Sequence, residues 1–219
     1  MSRRMDMSSV TDAVVVFLIL LVSLSVHEWA HAWTAEKLGD PTARSMGRVT
    51  FNPIPHIDPV GTVLLPAMFL LLGSGFFFAW AKPVPVNPGN FRKPVRDDIL
   101  VSMAGPFSNL VICLAVAVVF GLIVRLTGSV DLIPLAGQFI LINALLMVFN
   151  LIPIPPLDGS HVLRHLVGMS ETTYLKFAQF GFFIIIGLLF LTPLPRILWS
   201  AIQTVAGVAF ALMQVVAGG

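Results

Sequence analysis

Charge is scarce in this sequence. Lys, Arg, Asp and Glu make up 11% of its 219 residues, whereas a soluble domain needs roughly a quarter charged residues to cover its surface. That shortage excludes a sizeable soluble domain. Cysteine is nearly missing: Cys113 stands alone in an apolar run, so no intramolecular disulfide can form, and a buried structural thiol is the default reading. There is no concentrated basic run and the formal net charge is only +2, so nucleic-acid binding is not expected. Internal repeats and low-complexity linkers are also absent. In their place are hydrophobic residues, 57% of the chain, with a mean hydropathy of +0.91. Such a chain belongs in a lipid bilayer, which an apolar segment of about 20 residues crosses as a helix.

The apolar stretches Thr11 to Trp33, Ile99 to Leu126, Leu132 to Ile152, Leu175 to Leu191 and Ile197 to Val216 read as full spans. A secretory signal peptide competes for the first stretch, because Arg3, Arg4 and the Ala30-His31-Ala32 site imitate one; Asp6, Asp12, Glu28 and His31 speak against it. Val60 to Val86 differs from the rest. Gly73-Ser74-Gly75 interrupts it, and FFFAWAKPVPV is aromatic, β-branched and rich in proline, which predicts a half-helix followed by an extended return. Glu36 to Pro59 reads as a polar loop, with a short strand at Arg48 to Phe51 as an option. The expected fold is a single all-α polytopic domain over 1–219. It has five to six transmembrane helices, a re-entrant segment at 60–86 and a short β-like loop.

His27-Glu28-Trp29-Ala30-His31 is an HExxH pattern. On a helix it puts two imidazoles one turn apart on one face, where they can share a metal ion, with Glu28 beside them to accept a proton from a metal-activated water. Chance is the competing explanation. It is weakened by the cost of ionisable groups in a spanning helix, at least about 2.5–3.5 kcal/mol each at its centre. A hydrolytic zinc site usually takes a third protein ligand. Asp158 is the strongest candidate, because Pro153, Pro155 and Pro156 break the helix before it and irregular backbone at membrane depth survives only where it is buried or lines a wet cavity. The alternative role for Asp158 is capping a helix over His161 to Val167.

These segments together resemble the site-2 protease family of intramembrane zinc metalloproteases. HEWAH looks like its zinc-binding helix, GRVTFNPIPHIDPVGT and WAKPVPVNP like the loop segments after it, AGPFSNL like the next helix start, and NLIPIPPLDG like its NxxPxPxxDG motif. The resemblance covers most of the chain from His27 to Gly159. It implies one zinc ion per chain held by His27, His31 and Asp158, Glu28 as general base, and Asn150 steadying the substrate carbonyl or the developing oxyanion. As a residue, Asn150 fits interhelical hydrogen bonding nearly as well. The sequence shows no PDZ-like insertion, no nucleotide-binding module and no extra span ahead of HEWAH, so regulation by such parts is not expected.

His161 and His165 stand four apart, which fits either a second metal site or, better, a solvent-facing interfacial helix. His56-Ile57-Asp58 either lines the cavity mouth or caps the next helix, and the tryptophans read as interfacial or packing aromatics. A zinc site needs His31 and Asp158 at one depth, so their helices run in the same direction, which a re-entrant 60–86 segment allows. Lys37, Arg44, Arg48, Lys82, Arg92, Lys93, Arg96 and Arg164 then face one side and Arg3, Arg4, Arg125 and Arg196 the other. Under the positive-inside rule the first side is cytosolic, with the metal nearer to it. The expected partners are the bilayer and a single-span membrane protein as substrate; the oligomeric state is not legible. A bacterial or archaeal plasma membrane suits such a chain. The alternative function is a metal-ion transporter or metal-sensing membrane protein, although the paired inverted halves common in transporters are missing.

Overall fold

The computed structural model describes residues 7–71 and 79–219, and side chains from 11–68 and 79–219; Arg3, Arg4 and the Gly73-Ser74-Gly75 interruption fall outside these residues. In chain order the helices are α1 (Met7–Leu38), α2 (Thr42–Ser45), α3 (Leu65–Leu71), α4 (Pro94–Thr127), α5 (Ile133–Asn150), α6 (Gly159–Leu166), α7 (Glu171–Leu191) and α8 (Leu194–Ala217). Five of them, α1 from Thr11 onward, α4, α5, α7 and α8, are long and apolar enough to cross a membrane.

Two helices outrun the apolar stretches that announce them. α1 continues past Trp33 to Leu38, and Gly39 ends it at φ 112°, a left-handed backbone that favours glycine. Its polar last turns stay helical because Lys37 lies over the Trp33 ring and Glu36 pairs with Arg44. α4 begins at Pro94, whose missing N–H costs nothing in a first turn. Asp97 Oδ2 reaches back to accept the Lys93 N–H at 2.8 Å. Polar residues here mark where a helix leaves lipid, not where it stops.

Side-chain register fixes how the helices run. His31 and His27 on α1 meet Val101 and Asn109 on α4 in reverse order, so α1 and α4 are antiparallel. Asn109 and Cys113 on α4 likewise meet Asn143 and Ile140 on α5 in reverse order. α1 and α5 therefore run parallel, and Ser23 of α1 bonds Asn143 of α5. The core between α4, α5 and α8 is a seam of small residues, including Ala117, Ala136, Ala144, Ala206 and Ala209 around Cys113 and Ile140. Small side chains let helix backbones approach closely where lipid gives no hydrophobic drive for association. α7 sits outside this seam, with Phe180, Phe183 and Phe190 exposed on its surface.

A six-residue π-helical turn, Pro59–Leu64, leads into the seven residues of α3. Over the described residues the two rise about 20 Å. Asp58 caps the start by accepting from Val60 N and Gly61 N. The chain reappears at residue 79 in extended conformation and stands beside the start of that turn. Trp80 N–H donates to Gly61 O at 3.2 Å, Thr62 Oγ1 to Trp80 O at 2.7 Å, and Lys82 N–H to His56 O at 2.9 Å. Buried His56 donates from Nε2 to Thr50 O and accepts from Arg48 at Nδ1, so it ties loops together.

The strand entertained for Arg48 to Phe51 is not formed, and among the described residues there is no strand. Its neighbours reach it through side chains, Arg48 Nη2 to Lys82 O and His56 Nε2 to Thr50 O, so no backbone ladder exists. Asp40 locks the far end of this loop system. Its carboxylate accepts from Thr42 N, Thr42 Oγ1, Asn90 Nδ2 and Asn87 N. Burial alone would raise its pKa, but these donors outweigh burial and hold it below the usual carboxylate range.

Candidate metal centre

His27 and His31 project from one face of α1 into a crevice walled by α4, with relative exposures of 3% and 8%. Their Nε2 atoms lie 3.0 Å apart. Asp158 comes from the other end of the fold. α5 ends at Asn150 under the load of Pro153, Pro155 and Pro156, and the irregular segment packs on α7, where a Cβ at Gly181 would overlap the Pro155 carbonyl. That turn delivers Asp158 Oδ2 to 3.2 Å from His27 Nε2 and Oδ1 to 3.4 Å from His31 Nε2. Although it is the residue immediately before α6, where a cap would stand, Asp158 makes no side-chain cap hydrogen bond. The capping role is therefore not the one it fills.

The state of the two rings follows from their outer partners. Asn143 Nδ2 faces Phe139 O at 2.9 Å, an unambiguous acceptor, so Asn143 turns Oδ1 toward Asn109, which donates to it from Nδ2 at 3.0 Å. Asn109 must then present Oδ1 to His27, and His27 Nδ1–H donates to it at 2.7 Å. His31 Nδ1–H donates to Val101 O at 2.7 Å. With both Nδ1 hydrogens committed outward, neutral rings leave two Nε2 lone pairs facing each other and Asp158. Asp158 Oδ2 is buried with no hydrogen-bond partner. Lone pairs crowded this way repel unless a cation sits among them, and donor atoms of all three residues lie within 4.8 Å of one another. Two imidazoles and a carboxylate, each histidine oriented by a hydrogen bond from its other nitrogen, suit a divalent ion such as zinc.

Room for such an ion is set by α4. A Cβ added at Gly105 would lie 2.5 Å from His27 Nε2 and nearer still to His31 Nε2. Glu28, 9% exposed, accepts from Val84 N–H through Oε2 at 2.9 Å, which ties the extended return to the residue between the two histidines. Arg48 also feels this carboxylate: burial lowers its pKa, while the charge of Glu28 acts to raise it. Asn150 sits at the last turn of α5 and donates from Nδ2 to Leu146 O at 3.0 Å within its own helix.

Sequence reasoning did not single out Asn109, Asn143, Ser23 or Gly105. A signal existed for the two asparagines, since amides are costly inside apolar spans: Asn109 is the single amide of α4, and Asn143 lies mid-span in α5 between Gln138 and Asn150. His161 and His165 do not face solvent as expected. Both turn toward Asp98, at 3.1 and 2.6 Å from its Oδ2. Among the described residues the only His/Cys/Asp/Glu group of metal-binding geometry is His27, His31 and Asp158. Gly105→Ala is expected to abolish metal binding in an otherwise folded protein, since the added methyl fills the space between the two Nε2 atoms. Metal analysis of the purified variant checks this, and a full complement of bound metal would contradict it.

Comparison with known proteins bears on the same segments. Residues 126–193, which include the NLIPIPPLDG stretch, match the pattern described as Peptidase family M50. A Bacillus subtilis protein, YwhC, named as a zinc metalloprotease, is 40% identical over 191 residues, covering 84% of each chain. Rip2 of Mycolicibacterium smegmatis, named likewise, is 32% identical over 80% of this chain and 66% of its own length. For Rip2 of Mycobacterium tuberculosis the figures are 31%, 79% and 65%. No solved structure matches. The metal-transporter alternative finds no support in these likenesses. At 40% identity over most of both chains the kinship with YwhC is direct, and this chain belongs to peptidase family M50, the site-2 protease family.

Proposed function

We propose that this membrane-embedded zinc metalloprotease is an endopeptidase acting on single-span membrane proteins at membrane depth. In this reading His27, His31 and Asp158 hold one zinc ion per chain and Glu28 is the general base. The observation that carries it is the convergence of two outward-protonated imidazoles on a buried, unbonded oxygen of Asp158. Zinc held there supplies a Lewis acid for the scissile carbonyl and lowers the pKa of water to about 7. Glu28 takes the proton of the attacking water and returns it to the leaving amine. Asn150 is assigned to steady the substrate carbonyl or its oxyanion, since its Nδ2 carries a second hydrogen beyond the one given to Leu146 O.

A transmembrane helix hides its carbonyls in internal hydrogen bonds, so the substrate must unwind locally before attack. The extended return offers a place for it. Trp80 and Lys82 spend their backbone groups on Gly61, Thr62, His56 and Arg48. Val84 shares that edge and gives its N–H to Glu28, while the opposite edge, with the backbone groups of Ala81 and the carbonyls of Pro83 and Pro85, is where an unwound substrate docks as a strand. For location, the proposal is a multi-pass protein of a bacterial or archaeal cell membrane, with the site nearer the cytosol. The positive charge of Lys37, Arg44, Lys82, Arg92, Lys93 and Arg96 near the ends of α1 and α4 supports this side.

Two outcomes test the proposal. Glu28→Gln is expected to keep its zinc while losing about 10²–10⁴-fold in cleavage of single-span reporter substrates; full cleavage by a zinc-loaded variant would refute the base assignment. Arg92→Cys is expected to react with a membrane-impermeant maleimide only from the cytosolic side, against the silent background of buried Cys113. Labelling from outside intact cells would invert the topology.

A further inference from the structure

One face of α4 touches both histidines of the metal centre. Asn109 orients His27, Val101 O orients His31, and Gly105 leaves the space between their Nε2 atoms. Counting back along the helix from Asn109 through Gly105 and Val101 in steps of four and three, the next position on that face is Asp98. Asp98 is 4% exposed, in the second turn of α4. Its Oδ2 accepts two hydrogen bonds, from His161 Nδ1–H at 3.1 Å and from His165 Nε2–H at 2.6 Å. Both histidines belong to α6, the short helix that begins directly after Asp158.

We infer that Asp98 is a positioning residue for the metal ligand Asp158, acting through His161 and His165; the inference rests on Asp158 being a ligand. Asp158 follows an irregular, proline-broken segment with no helical ladder of its own to fix it. Its position is set by what holds α6. On one side Ser160 Oγ lies 2.8 Å from Tyr174 OH of α7 and the His161 ring packs on Tyr174. That side anchors α6 to a peripheral helix which touches the α4–α5–α8 seam little. On the other side stands Asp98, and it ties α6 to the helix that orients both histidines. Two N–H donors from successive turns of α6 on one carboxylate oxygen fix the helix in rotation as well as in distance, because a turn about its axis would break one bond or the other. The carboxylate is thus the means by which one rigid helix sets all three ligands against each other. A site tolerates little misplacement of its ligands, so the link is worth a buried charge at the membrane boundary.

The test is a double-mutant cycle on zinc affinity, read by competition with a chromophoric chelator on the purified full-length protein in detergent. Four proteins are compared: wild type, Asp98→Ala, Asp158→Ala, and the pair combined. The inference expects Asp98→Ala to weaken zinc binding about tenfold or more in the wild-type background. In the Asp158→Ala background the same change is expected to cost less than about twofold, because the ligand it positions is already gone. Should Asp98→Ala fail to fold, His161→Ala/His165→Ala breaks the same contact from its part-exposed side and carries the same expectation. Unchanged affinity in the wild-type background would overturn the inference, as would an equal loss in both backgrounds, which marks a general structural role. If Asp158→Ala itself leaves zinc affinity unchanged, the ligand assignment fails and the inference falls with it. That outcome is distinct from one in which Asp158 matters and Asp98 does not.

Discussion

Two imidazole Nε2 atoms 3.0 Å apart and a carboxylate whose two oxygens lie 3.2 and 3.4 Å from them are held together in the interior of a membrane protein. Nearly everything else in the fold follows from keeping them there. An uncompensated cluster of this kind is costly to bury, and a divalent cation among the three residues lowers that cost. The chain imposes the arrangement from outside the cluster: carbonyl-type acceptors take the Nδ1 hydrogens, and a glycine on α4 keeps the centre clear. Antiparallel α4 lies between parallel α1 and α5, so one helix face supports ligands that are 127 to 131 residues apart in sequence.

The polar chain behind His27 connects these helices at a second level. Phe139 O, Asn143, Asn109 and His27 form a run of hydrogen bonds whose direction is fixed from one end, with Ser23 joining at Asn143. In a bilayer such bonds give helix association specificity that apolar surface cannot. They also transmit order: an amide turned the wrong way would hand His27 a donor in place of an acceptor and move its hydrogen to the metal-facing nitrogen. The extended return from Trp80 to Val84 is tied to the same centre from the opposite side, through Glu28.

What the sequence made legible was what local spacing encodes. HEWAH declares two histidines on one helical face, and the proline run declares a broken helix that can carry Asp158 inward. Asn109 and Asn143 were visible as amides within apolar spans, but which atom of each faces which neighbour depends on helix register, and no single segment encodes that. His161 and His165 misled for the same reason. Their spacing fits a helix face, but only the approach of α6 to α4 reveals that the face meets Asp98 instead of solvent. The ends of α1 and α4 extended beyond their apolar cores because capping and side-chain pairing hold polar turns helical. The entertained strand failed because its neighbours bond to it through Arg48 and His56 side chains.

The most direct test of the centre is X-ray absorption at the zinc edge of the purified, substrate-free protein. The account predicts one tightly held zinc with two imidazole nitrogens and light oxygen scatterers, all at about 2.0–2.2 Å, in near-tetrahedral coordination. A sulfur shell, or an all-oxygen environment without imidazole, would contradict it.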